Sequence, residues 1–300
     1  MDNAVLFSIV IPTFNRAHCL GETIQSALAQ TYPNVEIIVI DDGSTDNTES
    51  LVKSFSHSGV LYYKIENGER GAARNYGARV ANGKYVNFLD SDDVLYPNHV
   101  SVAAHLVQAN TTLPFFHLGY DVKDSAGNLI KRMNAFEKNI EREMIYNGNL
   151  LSCNGVFLDR EVALANPFVE NRELSGSEDY ELWLRLLAKY TLVCSNEITS
   201  TVIDHDERSV VGMNKEKLIR RTEYLIKSLS SNDLFMKKFG QFMNVLKANN
   251  YSYISLHLAL TGRNKVHVLK YLFCAMFSRP GFLLTRQFLA IAKHFFFRWK

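Results

Sequence analysis

The sequence predicts an α/β fold built on a mostly parallel sheet, followed by a helical C-terminal region. Short, mostly apolar runs alternate with helical segments through the first ninety residues. Each apolar run ends in a polar cluster, as expected where the loops after parallel strands bind ligands. From about Asn214 the spacing is helical to the end of the chain.

Taken in order, residues 6–11 read as a buried strand and 20–29 as a helix with Leu20, Ile24, Ala27 and Leu28 on one face. Residues 35–40 form a second strand. A helix over 45–55 follows, with Ser44 or Thr45 as its cap and Leu51, Val52 and Phe55 facing inward. Residues 60–65 form a third strand, 71–81 a third helix and 85–89 a fourth strand. Crossovers of this length require right-handed parallel connections. Beyond these come a helix over 97–109 and a hairpin of 114–120 with 122–131 around Asp124-Ser125-Ala126-Gly127-Asn128. An amphipathic helix is expected over 179–189, with short strands near 191–194 and 200–203.

Composition narrows the function. The chain has 300 residues, 47% hydrophobic and 21% charged, as in an ordinary globular protein. Its net charge of +2 gives no reason to expect a nucleic-acid partner. That average hides an asymmetry: residues 234–300 contain eleven Lys or Arg and no Asp or Glu, so the preceding residues carry −9. The four cysteines, Cys19, Cys153, Cys194 and Cys274, form no C-x-x-C pair. An acidic start and an apolar run that ends at Pro12 predict no signal peptide, and hence a reducing cytoplasm. No uncharged apolar stretch is long enough to span a bilayer.

The second strand runs into Asp41-Asp42-Gly43-Ser44-Thr45-Asp46 and the fourth into Asp90-Ser91-Asp92-Asp93, with Glu69-Arg70-Gly71-Ala72-Ala73-Arg74-Asn75 between them. On a parallel sheet these clusters fall on one edge. Converging carboxylates repel each other unless a cation sits among them. Oxygen ligands at Asp90 and Asp92 suit Mg²⁺ or Mn²⁺, which commonly bridge phosphates. Singly, each cluster reads equally as a turn with a helix cap.

Ser8-Ile9-Val10-Ile11-Pro12-Thr13-Phe14-Asn15-Arg16, Asp41-Asp42-Gly43-Ser44-Thr45-Asp46, Gly71-Ala72-Ala73-Arg74-Asn75, Phe88-Leu89-Asp90-Ser91-Asp92-Asp93 and Ser177-Glu178-Asp179-Tyr180-Glu181-Leu182-Trp183 make five motifs in register. The chain in this respect closely resembles the inverting family 2 glycosyltransferases of GT-A fold that build bacterial surface polysaccharides, over roughly residues 5–210. The resemblance implies a catalytic domain at 1–210, with a nucleotide-binding half at 1–93 and an acceptor-side half at 94–210, and a basic helical region at 211–300. It implies that Asp42 hydrogen-bonds the uracil of a UDP-sugar, while Asp41 shapes that turn or shares the contact. Pro12 and Phe14 border the base, Arg74 lies near the phosphates, and Asp90 and Ser91 lie near the nucleotide. Asp92, with Asp90 and His205, holds Mn²⁺ or Mg²⁺, and Asp179 is the catalytic base.

The chemistry suits those groups. A leaving nucleoside diphosphate needs its charge stabilised, and an acceptor hydroxyl needs a base within about 3 Å. One base opposite the leaving group gives inversion by direct displacement. The expected activity is hexosyl or N-acetylhexosaminyl transfer to a glycan or lipid-linked acceptor. Alternatives are a sugar-phosphate nucleotidyltransferase, which would carry a Gly-rich basic loop after the first strand where this chain has none before Gly21, and a silent sugar- or nucleotide-binding module. No G-x-G-x-x-G or P-loop occurs.

In the basic tail, Arg286, Lys293 and Lys300 form one polar stripe and Leu284, Phe288, Ile291 and Phe295 an apolar face, broadened by Phe296, Phe297 and Trp299. This is the pattern of an interfacial helix and predicts peripheral contact with the inner, cytoplasmic face of the membrane. The alternative is a helical subdomain that spends that face on packing.

Overall fold

The computed structural model describes residues 4–110, 112–136, 139–205, 215–261 and 264–296. Its elements run β1 (Phe7–Thr13), α1 (Ala17–Leu28), β2 (Val35–Asp41), α2 (Thr48–Ser54), β3 (Leu61–Lys64), α3 (Glu69–Val80), β4 (Tyr85–Phe88), β5 (Val94–Leu95), α4 (His99–Ala109), β6 (Phe115–Asp124), β7 (Leu129–Met133) and α5 (Ile140–Asn147). They continue with β8 (Val156–Asp159), α6 (Arg160–Ala165), α7 (Glu178–Lys189), β9 (Val193–Asp204), α8 (Lys215–Ser230), α9 (Asp233–Phe239), α10 (Met243–Thr261), α11 (Lys265–Ser278) and α12 (Arg286–Phe296). The chain divides into two compact units, one of residues 1–138 and 151–208, the other of 139–150 and 209–300.

In the first unit all the strands join one sheet in the order β3-β2-β1-β4-β8-β6-β9-β5, with β7 paired to β6. Strands β3, β2, β1 and β4 are mutually parallel, as their helical crossovers require. β8 then enters antiparallel between β4 and β6. All seven residues of β1 are buried, which explains its predominantly apolar sequence at the sheet centre. Phe7 meets the rings of Tyr32, Tyr85 and Phe157 at centroid distances of 5.5, 5.7 and 5.8 Å. Leu20 and Ile24 of α1 and Val100 and Ala103 of α4 close this core. Each such side chain contributes about 1.5–3 kcal/mol of burial. Helix α3 lies close on β1 because Gly77 carries no side chain: a methyl group there would overlap Val10.

The structure corrects several expected elements. Residues 115–124 are one strand, so the hairpin turn begins at Asp124 rather than breaking the chain near residue 121. The two short strands expected after α7 are one twelve-residue strand, β9, whose pairing with β6 shifts register around Gly119. Helix α2 starts at Thr48 and not at Thr45. Its entry is held by Asp46, whose Oδ1 accepts from the Thr48 amide (3.0 Å) and hydroxyl (2.6 Å), in place of Ser44 or Thr45.

The second unit is helical. Its core gathers Leu218 of α8, Ile254 and Leu258 of α10, Val268, Tyr271 and Ala275 of α11, Phe282, and Ile291 of α12. Helix α5 joins it from the middle of the chain: Ile140, Met144 and Ile145 are buried, and Asn249 of α10 donates to the carbonyls of Ile145 (3.1 Å) and Tyr146 (2.7 Å). A single boundary near residue 210 does not anticipate this, because the apolar side of α5 has its partners a hundred residues downstream. The apolar face expected for the last helix is also used differently. Ile291 is fully buried, and Phe288 and Phe295 pack on the same core, whereas Leu284 precedes the helix and is exposed. Phe297, Trp299 and Lys300 lie outside the described residues. No described helix is long and apolar enough to cross a membrane.

Candidate active site

Because β1, β2 and β4 are parallel, their C-terminal ends deliver Thr13-Phe14, Asp41-Asp42 and Leu89-Asp90 to one edge. Pro12 is buried within β1, while the Phe14 ring beyond it is 47% exposed. The next residue, Asn15, adopts a left-handed conformation (φ 51°) and locks two loops together. Its amide donates to Ser44 Oγ (2.9 Å), and its side-chain oxygen accepts from the Thr45 amide (2.8 Å).

The two aspartates after β2 have separate tasks. Asp41 is fully buried: Oδ1 accepts from the Ser44 amide (2.7 Å) and Oδ2 from the Tyr62 hydroxyl (2.7 Å). It therefore shapes the turn. Asp42 accepts from the Gly68 amide (2.7 Å) and from the Asn67 side chain (3.2 Å), which ties the Asp42 turn to the loop before α3. Burial raises its pKa, partly offset by those backbone donors. Arg172 secures the same loop from the other side, donating to the Asn67 carbonyl and side chain.

Arg74 is 1% exposed and does not present itself to a ligand as an open phosphate clamp. One guanidinium nitrogen donates to Glu178 Oε1 (2.8 Å) and another to Asp90 Oδ1 (2.6 Å). The guanidinium lies 5.3 Å from the Phe168 ring centroid. Burial opposes its charge, but neighbouring groups, Asp90 and Glu178 among them, more than offset this and hold its pKa well above the ordinary value. Arg70, partly buried one turn earlier, is raised by the same two carboxylates against burial, giving this edge a second cation. Phe168 packs edge-on to Phe88 (5.1 Å) and to Trp183 (5.9 Å), which seats α7 against the sheet.

Helix α7 brings Glu178 and Asp179 to the Arg74 end of this edge. Glu178 is buried and also accepts from the Gly176 amide (2.6 Å). Burial would raise its pKa, yet Arg74 and Arg70 keep it below the usual range. Asp179 is only partly covered and is pushed up to about 6, first by loss of solvent and then by the negative charge of Glu178. Two adjacent carboxyl groups thus divide into a permanent anion and a group that titrates near neutrality.

Beyond β4, Ser91 is buried and its carbonyl accepts from the Thr23 hydroxyl (3.0 Å), fastening the acidic loop to α1. Asp93 Oδ1 accepts from the Ile203 amide (2.9 Å), fastening the same loop to the end of β9. Asp92 and His205 consequently meet, with Oδ2 and Nε2 3.1 Å apart and both side chains partly exposed. A carboxylate and an imidazole so placed suit a divalent ion, with Asp90 nearby through the same loop. No group of three such side chains is gathered around one point among the described residues, so water and substrate oxygens would have to complete the coordination.

Asn67, Gly68, Arg70, Asp93, Phe168, Arg172 and Glu178 were not among the expected site residues. Asp93 and Glu178 stand inside the recognised motifs, each a carboxylate beside one already assigned, and Arg70 stands just before the Gly71–Asn75 motif. Asn67 and Arg172 carry no comparable signal, because their roles depend on contacts between distant loops.

The profile of glycosyl transferase family 2 matches residues 8–160. The chain is 29% identical over 275 residues to an uncharacterised glycosyltransferase of Rickettsia typhi, covering 86% of this chain and 85% of that protein. It spans only 27–31% of the length of three other Rickettsia relatives. It is 31% identical over 224 residues to the UDP-Glc:alpha-D-GlcNAc-diphosphoundecaprenol beta-1,3-glucosyltransferase WfgD of Escherichia coli, covering 72% of this chain and 83% of WfgD. The structure of Staphylococcus aureus TarS residues 1–349 in complex with UDP-GlcNAc superposes with a TM-score of 0.71 at 17% identity, over 97% of this chain and 88% of that one, and supports the GT-A-type fold. Profile, relatives and fold agree with the five sequence motifs, and the chain belongs to glycosyl transferase family 2: it is a glycosyltransferase.

Proposed function

We propose that this glycosyltransferase moves a sugar from a UDP-sugar onto a hydroxyl of a lipid-linked glycan acceptor, with inversion, in the assembly of a cell-surface polysaccharide. The observation that carries the proposal is the divided carboxylate pair: Asp179 titrates near neutrality while its neighbour Glu178 is held ionised by an arginine that also grips the donor-side Asp90. The names of WfgD and of the TarS complex support a UDP-sugar donor, and WfgD's name supports a diphosphoundecaprenol-linked acceptor.

In this proposal residues 1–93 bind the donor and the acceptor side lies within 94–210 apart from α5, which belongs with 211–300 to the helical region. The uracil lies against Asp42 and Phe14, on the backbone of Pro12, with Asp41 and Ser91 holding the loops that frame it. The acceptor hydroxyl oxygen attacks the anomeric carbon and its proton passes to Asp179. The bond from that carbon to the β-phosphate oxygen breaks, and its electron pair leaves with UDP. Asp92, His205 and Asp90 hold Mn²⁺ or Mg²⁺, which would supply Lewis-acid stabilisation of the departing diphosphate. The enzyme works at the cytoplasmic face of the membrane in peripheral contact with it.

The test is release of UDP and mobility shift of a GlcNAc-diphosphopolyprenol acceptor, measured with UDP-hexoses and UDP-N-acetylhexosamines. Acceptor-dependent turnover with at least one UDP-sugar, inverted at the new linkage, is expected. Turnover only with a GDP- or dTDP-sugar would overturn the donor class, and a retained anomeric configuration would overturn the base.

A further inference from the structure

The helical unit contains a surface that its own packing does not explain. On α11, Val266, Lys270, Phe273 and Phe277 recur at intervals of four, three and four residues, which places them on one narrow stripe. Every one of them is exposed, Val266 by 78% and Phe277 by 85%. The opposite side of the helix, with Val268, Tyr271, Leu272 and Ala275, is spent on the core. Beyond α11 the chain leaves further side chains in solvent: Leu284, 91% exposed, in the connection to α12, and Arg286, Leu289 and Lys293 on α12. Large apolar side chains left in water at this density mark an interaction surface.

Charge identifies the occupant. Lys270, Arg286 and Lys293 stand among the exposed apolar residues and form no ion pair among the described residues. No acidic residue occurs anywhere in 234–300. A protein partner would ordinarily be met by mixed charge, whereas an apolar stripe threaded with cations matches acyl chains beneath anionic headgroups.

We propose that the exposed stripe of α11, together with the exposed Leu284, Arg286, Leu289 and Lys293, docks on an anionic lipid bilayer, and that the apolar face of α12 does not. This rests on the peripheral membrane contact proposed above and locates it on different residues from those the helical wheel of α12 selects. Ile291 is buried in the core and Phe288 and Phe295 pack against it, so that face is already engaged within the unit.

The experiment is co-sedimentation of the full chain with vesicles of phosphatidylglycerol and phosphatidylcholine, or of phosphatidylcholine alone, at two salt concentrations. Two variants are compared with the parent: Phe277→Ser with Leu284→Ser, and Lys270→Gln with Arg286→Gln and Lys293→Gln. All these positions are exposed, and circular dichroism and Tm confirm that the variants remain folded. The parent should bind the anionic vesicles and release them as salt rises. The charge variant should lose about fivefold in partitioning per basic residue removed, and the apolar variant should lose at least as much as one such step.

If the parent binds and both variants bind equally well, the stripe is wrong while membrane contact stands. If the parent ignores anionic vesicles, both ideas fail. If light scattering shows that Phe277→Ser with Leu284→Ser turns an oligomer into a monomer without changing vesicle binding, the surface is a self-association face and the proposal is overturned. UDP release with a water-soluble acceptor is unaffected in every case, so none of these results depends on the glycosyl-transfer assignment.

Discussion

Arg74 and Glu178 are 104 positions apart, yet their side chains meet at 2.8 Å, 1% and 5% exposed. The same guanidinium reaches Asp90 at 2.6 Å on the partly exposed side. A residue on the third helix thus ties the end of the fourth strand to the start of the helix that carries the proposed base. Removing one member of such a buried pair leaves a charge without compensation, a loss of about 3–5 kcal/mol. Arg74→Ala should therefore lower stability by that order in chemical denaturation. Arg74→Ala combined with Glu178→Gln should be less damaging than the sum of the two single changes, because the stranded anion is gone. Additive losses would show that the two groups are not coupled.

Asp179→Asn should reduce turnover on the order of 10²–10⁴-fold, the usual contribution of a general base, while UDP binding by calorimetry stays near the parent value. In the parent, turnover should fall as pH drops through about 6, where Asp179 takes up its proton. A profile flat from pH 5 to 8 would remove Asp179 from the role.

The same substitution should stabilise the fold. The pKa of Asp179 is raised from 3.8 to about 6, so the folded protein holds this proton more tightly than the unfolded chain. Below pH 4 both states are protonated and the group is neutral in effect. As pH climbs from about 4 to 6 the unfolded chain gives up this proton before the folded one does, so the contribution to stability is lost over that window and stays lost above it. Removing the charge at pH 7 should return about 1–2 kcal/mol, less than the full shift because the side chain is partly exposed. Tm at pH 7 should rise and Tm at pH 4 should not, a trade of activity for stability.

His205→Ala and Asp92→Ala should each weaken metal-dependent UDP binding on the order of tenfold or more and leave metal-free binding unchanged. Thermal-shift titrations with and without Mn²⁺ separate the two. A His205→Ala protein with unaltered Mn²⁺ dependence would leave the imidazole as a neighbour of Asp92 and no more.

Two other histidines predict an acid limit. His99 and His117 are fully buried and held neutral, with burial driving both down to about 3. The unfolded chain protonates them near 6.5, so stability is level above that pH and falls between 6.5 and 3 by about 1.4 kcal/mol per pH unit for each histidine. His117→Gln should remove one share of that slope in denaturation curves recorded from pH 7 to 4.5.

The first four strands were legible because they are mostly apolar, the helices between them are short, and the loops after them carry charged residues at strand ends. Asp41, Asp42, Asp90 and Asp92 could be placed on one edge from strand direction alone. β8 could not be read: four residues give no period, and their partners Tyr85–Asn87 and Phe115–His117 lie far away in sequence. Residue type alone did not show that Arg74 faces carboxylates. That direction is set by Phe168 beneath it and by α7, which the chain delivers a hundred residues later. The last helix illustrates another limit. Its apolar face has the same spacing whether it covers protein or lipid, and only the position of α10 decides that Ile291 is core.

Helix α5 carries a consequence for how the chain is made. It emerges from the ribosome about a hundred residues before α10, whose Asn249 will cap its last carbonyls. Until then α5 lacks that partner, and the closure of so long a loop costs chain entropy. Segment 139–150 must therefore wait through the synthesis of β8, α7 and β9, and a chain stopped at residue 210 would leave it waiting permanently. A chain shortened to residues 1–210 should therefore aggregate more readily than the full protein, even though all five motifs are present in it.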